Sequence, residues 1–180
     1  MKVAEQRFCR NGLPYLIRSA RQEDAAELSQ LRLQMDSETE NLDREPGEGF
    51  IDASGFEQLI RSDTESDRNL FLVAIADGRI VGFSRCEGNE LKRFAHKAEF
   101  GIGVLKAYWG NGIGKNLLSE SIKWADESGL AKLTLNVLET NEPAIRLYEE
   151  LGFQAEGVLV NDKTLSDGKF YNTVVMGRLR

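Results

Sequence analysis

Apolar residues along the chain follow two periods, one typical of helices and one typical of strands. Spacings of three and four residues, which favour amphipathic helices, occur in four stretches: 22–35, 54–66, 113–128 and 143–151. Short β-rich runs lie before, between and after them, at 13–18, 70–76, 79–86, 98–105, 131–138, 153–160 and 169–178. The alternation predicts one α/β domain covering residues 1–180.

Two dipeptides mark sharp reversals between β-rich runs. Asn11-Gly12 and Asp77-Gly78 are both strong signals for a two-residue hairpin turn. Hairpins join antiparallel strands, so the sheet is expected to be at least partly antiparallel. Residues 1–12 are open to two interpretations, an extra N-terminal strand or a ragged tail.

Composition excludes several classes of function. The net charge is -6 with one histidine, so the basic excess expected of a nucleic-acid-binding protein is lacking. The first residues have no apolar core like that of a signal peptide, and no run approaches the roughly 20 apolar residues of a membrane span. A cytoplasmic protein with no membrane or nucleic-acid partner is expected. Cys9 and Cys86 form no CxxC pattern, so neither a zinc site nor a disulfide framework is predicted.

Acidic side chains are concentrated between residues 36 and 67. This segment holds 11 carboxylates and only two arginines, Arg44 and Arg61. Charge runs are usually solvated surfaces. The alternative is a local field that attracts a cationic substrate. The sequence leaves both interpretations open.

The stretch YWGNGIGKNLL, residues 108–118, places three glycines between a predicted strand and a predicted helix. The first N–H groups of a helix have no helical partners and face anions with the positive end of the helix dipole. Gly110, Gly112 and Gly114 would let phosphate oxygens reach these groups. The stretch therefore predicts a phosphate cradle, although a tight strand-to-helix turn would also explain its glycines.

Two common nucleotide-binding motifs do not fit this stretch. A P-loop, GxxxxGK[ST], would need glycine at Trp109 and a hydroxyl residue at Asn116. The dinucleotide motif GxGxxG, started at Gly110, meets Lys115 at its third glycine, and no strand-end acid follows at a suitable distance. The phosphate compound must be of another kind.

Two segments in order, VLKAYWGNGIGKNLL and LTLNVLETNEPAIRLYEELGF, resemble the GNAT superfamily of acetyl-CoA-dependent N-acetyltransferases. That family has a pyrophosphate loop of the form [Q/R]xxGxG/A, followed by NxxAxxLYxxxGF. The second motif is complete here, with Asn141, Ala144, Leu147, Tyr148, Gly152 and Phe153. Trp109 departs from the first motif, because it stands where Gln or Arg is usual.

The resemblance implies a fold and a cosubstrate. The fold is a single α/β domain with a mixed, mostly antiparallel sheet and helices on both faces, splayed between the strands near 98–105 and 131–138. Acetyl-CoA would lie in the splayed gap, with no metal required. The residues expected to bind it are Val104, Leu105, Trp109, Gly110, Asn111, Gly112, Ile113, Gly114, Lys115 and Asn141. Backbone N–H groups near Val104 and Leu105 would polarise the thioester carbonyl.

Three of the polar residues nearby keep alternative interpretations. Lys115 would meet a phosphate or face solvent from the first helical turn. Asn141 would steady the CoA arm, cap its helix, or do both. Asn136 is expected to be an ordinary polar residue of its strand.

The resemblance also implies catalytic residues. Tyr148 would protonate the departing CoA thiolate, and its alternative is an amphipathic aromatic that packs the helix on the sheet. Glu99, early in its strand, would act as base through water, and its alternative is a solvent-facing glutamate. A base is needed because an alkyl ammonium of pKa about 10 is only about 0.1% neutral at pH 7. His96 is interpreted as a loop residue, and neither cysteine has a partner for nucleophilic catalysis.

These observations predict an enzyme that transfers the acetyl group of acetyl-CoA directly to a primary amine in a ternary complex. The alternative is a non-catalytic acyl-CoA-binding module of the same fold. The acceptor could be a small cationic amine, an amino acid or a protein amine. Family members often dimerise through a sheet edge, so a homodimer is compatible with the sequence. The acceptor's identity, the oligomeric state and the use of other acyl groups are not determined by it.

Overall fold

The computed structural model describes residues 2–180, which form one eight-stranded sheet and four α-helices. The strands are β1 Gln6–Arg10, β2 Leu13–Ser19, β3 Leu70–Ala76, β4 Arg79–Gly88, β5 Lys97–Val104, β6 Lys132–Leu138, β7 Gln154–Thr164 and β8 Phe170–Leu179. The helices are α1 Ala25–Glu38, α2 Ala53–Glu65, α3 Ile113–Glu127 and α4 Glu142–Glu150. The predicted α/β class is confirmed.

The sheet has the order β1-β2-β3-β4-β5-β6-β8-β7. Every neighbouring pair is antiparallel except β5 and β6, which run parallel. Both predicted hairpin turns are present, and their residues have the positive φ angles that such turns need, 52° at Asn11 and 51° at Asp77. Residues 6–10 are therefore an added edge strand rather than a ragged tail.

Helices cover both faces of the sheet, as expected, and two adjacent residues of β5 show the arrangement. A Cβ built on Gly103 would lie 2.8 Å from Met35 of α1, whereas a Cβ on Gly114 of α3 would lie 3.8 Å from Ile102. Successive side chains of a strand point to opposite faces. The α1 side and the α3 side are therefore the two faces of the sheet, and β5 lies between these two helices.

The predicted splay lies between β5 and β6. Their ladder contains only three pairs, the last of them Glu99 with Thr134, and β5 then continues unpaired to Val104. On its other side β5 stays paired to β4 along its length, up to Val104 opposite Gly82. An opening inside the sheet thus exposes the unpaired edges of two central strands.

Element ends differ from the pattern prediction at one cap. The helix predicted to start with Ser54 and Glu57 as a capping box instead begins at Ala53, and the side chain of Asp52 accepts the N–H of Gly55 at 2.8 Å. Asp52 is a stronger cap because its carboxylate also lies at the positive end of the helix dipole.

Candidate active site

A cleft of about 870 Å³ occupies the opening between β5 and β6. It is lined by the glycine-rich loop and the start of α3, by Thr39 and residues 41–44, and by side chains of β4. Of the 12 residues expected to bind cofactor or act in catalysis, ten line this cleft: Glu99, Val104, Trp109, Gly110, Gly112, Ile113, Gly114, Lys115, Asn141 and Tyr148. Leu105 and Asn111 do not. One continuous cleft thus joins both predicted motifs.

The glycine-rich loop forms the N-terminus of α3. Gly112 is the N-cap in a left-handed conformation, with φ at 76°, and Gly110 has φ at 79°. The first helical bond runs from the N–H of Asn116 to the carbonyl of Gly112 at 3.0 Å. The N–H groups of residues 113–115 therefore precede the hydrogen-bond ladder of a 15-residue helix and point out of its end. This is the donor arrangement that a diphosphate needs.

The exposed edge of β5 offers backbone groups of alternate residues. Leu105 donates its N–H to Val81 of the neighbouring strand at 2.9 Å, so this group is directed away from the gap. Because the ladder alternates, the backbone groups of Val104 and Ile102 point into the gap. The expected role of Leu105 as a thioester donor is therefore wrong, since its N–H already has a partner. Ile102 was not predicted, because the sequence does not reveal the phase of the ladder.

The only side-chain donor of Trp109 is occupied by a bond to the end of β5. Its indole N–H donates to the carbonyl of Val104 at 2.7 Å, while 46% of the residue remains exposed. The ammonium of Lys106 lies 6.0 Å from the indole ring centre, at the limit of a cation–π contact. Trp109 therefore lines the cleft but brings no charge to it. It braces the loop against the end of β5.

Tyr148 lies where α4 meets the opening. It is 8% exposed, and its ring packs 6.0 Å from that of Phe153. Burial raises the pKa of Tyr148 to about 12, with no other contribution to the shift. The phenol therefore stays protonated at neutral pH. An O–H in a cleft, without a protein partner within residues 2–180, is free to donate to a ligand.

Glu99 lies at the vertex of the opening, in the last pair of the β5–β6 ladder. It is exposed to the cleft and projects to the α1 face, because it alternates with residues facing α3. Glu87 stands directly opposite on β4, but its carboxylate accepts from Arg85 at 2.8 Å. Glu99 forms no ion pair within residues 2–180. It is thus a carboxylate without an ion-pair partner in the lining of the cleft.

Much of the acidic segment is engaged in structural contacts. Asp63 holds Arg85 through two bonds of 2.6 and 2.9 Å, and Asp36 holds Arg44 at 3.2 and 3.3 Å. Further carboxylates of the segment bond to backbone or side-chain groups: Glu38, Glu40, Asp43, Glu48 and Asp52. Of the 11 carboxylates in this segment, only Asp43 lines the cleft, beside Arg44. Seven of the 11 carboxylates are thus engaged in contacts within the protein, an arrangement that neither interpretation included.

The residues with open alternatives now have positions. Lys115 contacts Glu150 across the cleft at 3.4 Å, a weak exposed pair that a phosphate could replace. Asn141 is the N-cap residue of α4, but its side chain makes no capping bond and lines the cleft. Asn136, expected to be an ordinary strand residue, also lines the cleft. Both amides are available to a ligand.

Other reactive groups lie elsewhere. Cys86 is fully buried, and burial raises the pKa of its thiol to about 12, whereas Cys9 is exposed on the edge strand. His96 lies just before β5, and neither it nor a cysteine lines the cleft. Within residues 2–180 no three His, Cys, Asp or Glu side chains are grouped so as to hold a metal ion. Over the same range, no helix has the length and apolar character to cross a membrane.

Comparisons with known proteins agree with this geometry. Residues 29–153 match the model of the Acetyltransferase (GNAT) family. The L-amino acid N-acetyltransferase AaaT of Escherichia coli is 31% identical over 110 residues, covering 61% of this chain and 67% of that protein. The ribosomal protein bS18-alanine N-acetyltransferase of Haemophilus influenzae is 33% identical over 112 residues, covering 62% and 73% respectively.

Solved structures show the same fold. An acetyltransferase of the GNAT family from Streptococcus pneumoniae has a TM-score of 0.89 and 32% identity, covering 92% of this chain and 99% of that one. The yncA protein of Salmonella typhimurium, solved with its cofactor acetyl-CoA, has a TM-score of 0.80 and 21% identity, covering 92% and 93%. The family match spans more than half of the chain and contains both the glycine-rich loop and the segment around Tyr148. The chain is therefore an N-acetyltransferase of the GNAT family.

Proposed function

We propose that this enzyme transfers the acetyl group of acetyl-CoA directly to a primary amine, with both substrates bound in the cleft. The observation that supports the proposal is the opening between β5 and β6, whose lining includes the glycine-rich loop, Tyr148 and Glu99. A pantetheine arm has two amides that could pair with the free edge of β5, as an added strand does.

The carbonyl of the thioester would accept the N–H of Ile102, one of the two residues of β5 whose backbone groups face the gap. This donor is fixed by the strand and costs no reorganisation when negative charge develops on the oxygen. The carbonyl of Val104 retains one lone pair beside the indole bond and could accept from pantetheine.

Glu99 would accept the proton of the attacking amine, through water, from the α1 face of the cleft. Its carboxylate is exposed and unpaired within residues 2–180, so it can bind water and an ammonium group. The nitrogen lone pair then attacks the thioester carbon, and the C–S bond breaks as the carbonyl reforms. The products are the amide and the thiolate of CoA.

Tyr148 would donate its O–H to the departing sulfur. With a pKa of about 12, against about 8.5 for a thiol in water, full proton transfer is uphill by about 5 kcal/mol. The phenol therefore acts first as a hydrogen-bond donor. As the sulfur takes the phenol proton, the second proton of the amine nitrogen passes through water to the phenolate, which restores Tyr148, and Glu99 releases the first proton to solvent. Burial of the sulfur would raise the thiol pKa as well and narrow the difference.

An acetyl-enzyme intermediate receives no support from the cysteines. A thiol with a pKa of about 12, as at Cys86, is almost entirely protonated at pH 7, and Cys9 lies outside the cleft. Direct transfer in a ternary complex needs neither. Parallel rather than intersecting lines in double-reciprocal plots of initial rate for the two substrates would contradict direct transfer.

The acceptor is best sought among α-amines. The two named relatives act on amino acids and on alanine of a ribosomal protein, and both acceptors carry an α-amino group. Release of CoA thiol should be measured with wild-type enzyme, acetyl-CoA and a panel of L-amino acids, peptides with N-terminal alanine, polyamines and aminoglycosides. Amine-dependent release with an acetylated product is expected. Binding of acetyl-CoA without release for any amine would contradict the proposed reaction.

A further inference from the structure

The N-terminal hairpin of β1 and β2 lies directly against the glycine-rich loop, although it precedes the segment matched by the family model. The side-chain amide of Asn11 donates to the carbonyl of Gly110 at 3.3 Å. The amide of Asn116, in the first turns of α3, donates to the hydroxyl of Tyr15 at 2.7 Å. The hairpin is therefore part of the frame that holds the start of α3.

Arg10 is the hairpin residue that reaches the cleft. Its Cδ and Nη1 atoms both lie 3.0 Å from the position that a Cβ of Gly112 would occupy, so the side chain passes over the N-cap of α3. Arg10 is one of the residues lining the cleft. Its guanidinium thus stands beside the same N–H groups that face a diphosphate.

The positive charges at this position favour the binding of an anion. A cation at the N-terminus of a helix is repelled by the positive end of the helix dipole. Within residues 2–180 no carboxylate pairs with Arg10, whereas the neighbouring Lys115 contacts Glu150. An anion bound between Arg10 and the start of α3 would pair with the guanidinium and accept hydrogen bonds from the N–H groups at the helix start.

Trp109 supplies no charged donor to the loop, because an indole is neutral. Its N–H is also occupied, since it donates to the carbonyl of Val104. We propose that Arg10, supplied by the N-terminal hairpin, binds the diphosphate of acetyl-CoA together with the N–H groups at the start of α3. This inference rests on the proposed function. Arg10 is a binding residue in it and takes no part in the acetyl transfer.

The test is calorimetric titration of wild type and Arg10→Gln with coenzyme A and with 3′-dephospho-coenzyme A, which keeps the diphosphate. Loss of one charge-assisted contact at an exposed site predicts roughly tenfold weaker binding of both ligands. Arg7→Gln is the matched control, because Arg7 lies on the same strand, is exposed and pairs with Glu5 outside the cleft. It should bind both ligands as wild type does. Thermal unfolding of each variant checks that the fold is retained.

The other outcomes overturn the inference. Weakening of coenzyme A alone would place Arg10 at the 3′-phosphate rather than the diphosphate. Equal weakening in Arg10→Gln and Arg7→Gln would reduce the effect to overall charge, and no weakening in either would remove Arg10 from the site. If wild type fails to bind coenzyme A at all, the proposed function fails instead.

Discussion

Replacing Tyr148 by Phe removes one hydroxyl group from the cleft and little else. The ring is buried against Phe153, and the oxygen has no partner within residues 2–180, so neither packing nor a protein hydrogen bond is lost. We expect the free energy of unfolding to change by less than about 1 kcal/mol, since an unpaired buried hydroxyl contributes little. Affinity for CoA should stay within about twofold, which is under about 0.5 kcal/mol.

Turnover should respond very differently. A positioned general acid contributes roughly 10²–10⁴-fold, or about 2.7–5.5 kcal/mol in the barrier. The thiolate would leave without a donor at Tyr148, so kcat should fall by that factor while KM for acetyl-CoA changes little. The assay is thiol release at saturating amine, and Tyr171→Phe is the matched control because Tyr171 bonds to Asp167 outside the cleft.

The pH dependence adds a second check on the same residue. Since burial raises the pKa of Tyr148 to about 12, the phenol stays protonated as pH rises through 10 and ionises only near 12. The wild-type kcat should therefore have no alkaline fall centred near pH 10. Unchanged kcat in Tyr148→Phe, or a fall near pH 10 that the mutation abolishes, would contradict the role of Tyr148 as the proton donor to sulfur.

Two further substitutions have matched controls. Glu99→Gln should lower kcat by about 10²-fold at neutral pH, with the rate recovering as pH rises and more amine is neutral, whereas Glu87→Gln, whose carboxylate is held by Arg85, should lose much less. Equal losses, measured by thiol release, would contradict the assignment. Gly112→Ala should destabilise the fold by about 1–2 kcal/mol, because φ is 76° there. Gly114→Ala should not destabilise the fold, because φ is ordinary there and a Cβ would lie 3.8 Å from the nearest atom. Equal unfolding midpoints of the two variants in denaturant would contradict this difference.

Local signals in the sequence were sufficient for most of the fold. The Asn11-Gly12 and Asp77-Gly78 turns and the helical spacing of apolar residues depend on neighbours a few residues apart, so they predict elements directly. Caps are less certain, because Asp52 and Ser54 are both good N-cap residues. The final choice depends on where the incoming chain leaves its extended conformation.

The candidate site was predicted as far as its motifs extend. Two parts of the cleft lining, the glycine-rich loop and the segment around Tyr148, follow from the motifs, and their meeting follows from the resemblance. The sequence could not give the phase of the β5 ladder, which turns the N–H of Leu105 towards Val81 and leaves Ile102 facing the gap. Backbone N–H groups alternate in direction along a strand. Without the pairing register, the sequence does not tell whether Leu105 or Ile102 faces the gap.

Long-range contacts explain the remaining differences. Arg10 reaches Gly112 across about 100 residues of chain, and no pattern along the sequence connects them. The acidic segment suggested a field for a cationic substrate, but Asp36 and Asp63 are bound by arginines. The sequence shows that acidic residues outnumber basic ones in this segment, but only the structure shows which arginines pair with them.

The most direct test of the central claim is a crystal structure of the enzyme with acetyl-CoA. We expect a diphosphate at the start of α3, the thioester carbonyl beside the N–H of Ile102, and the sulfur within hydrogen-bond distance of the Tyr148 hydroxyl. A cofactor bound outside the opening between β5 and β6, or one with its sulfur remote from Tyr148, would contradict it.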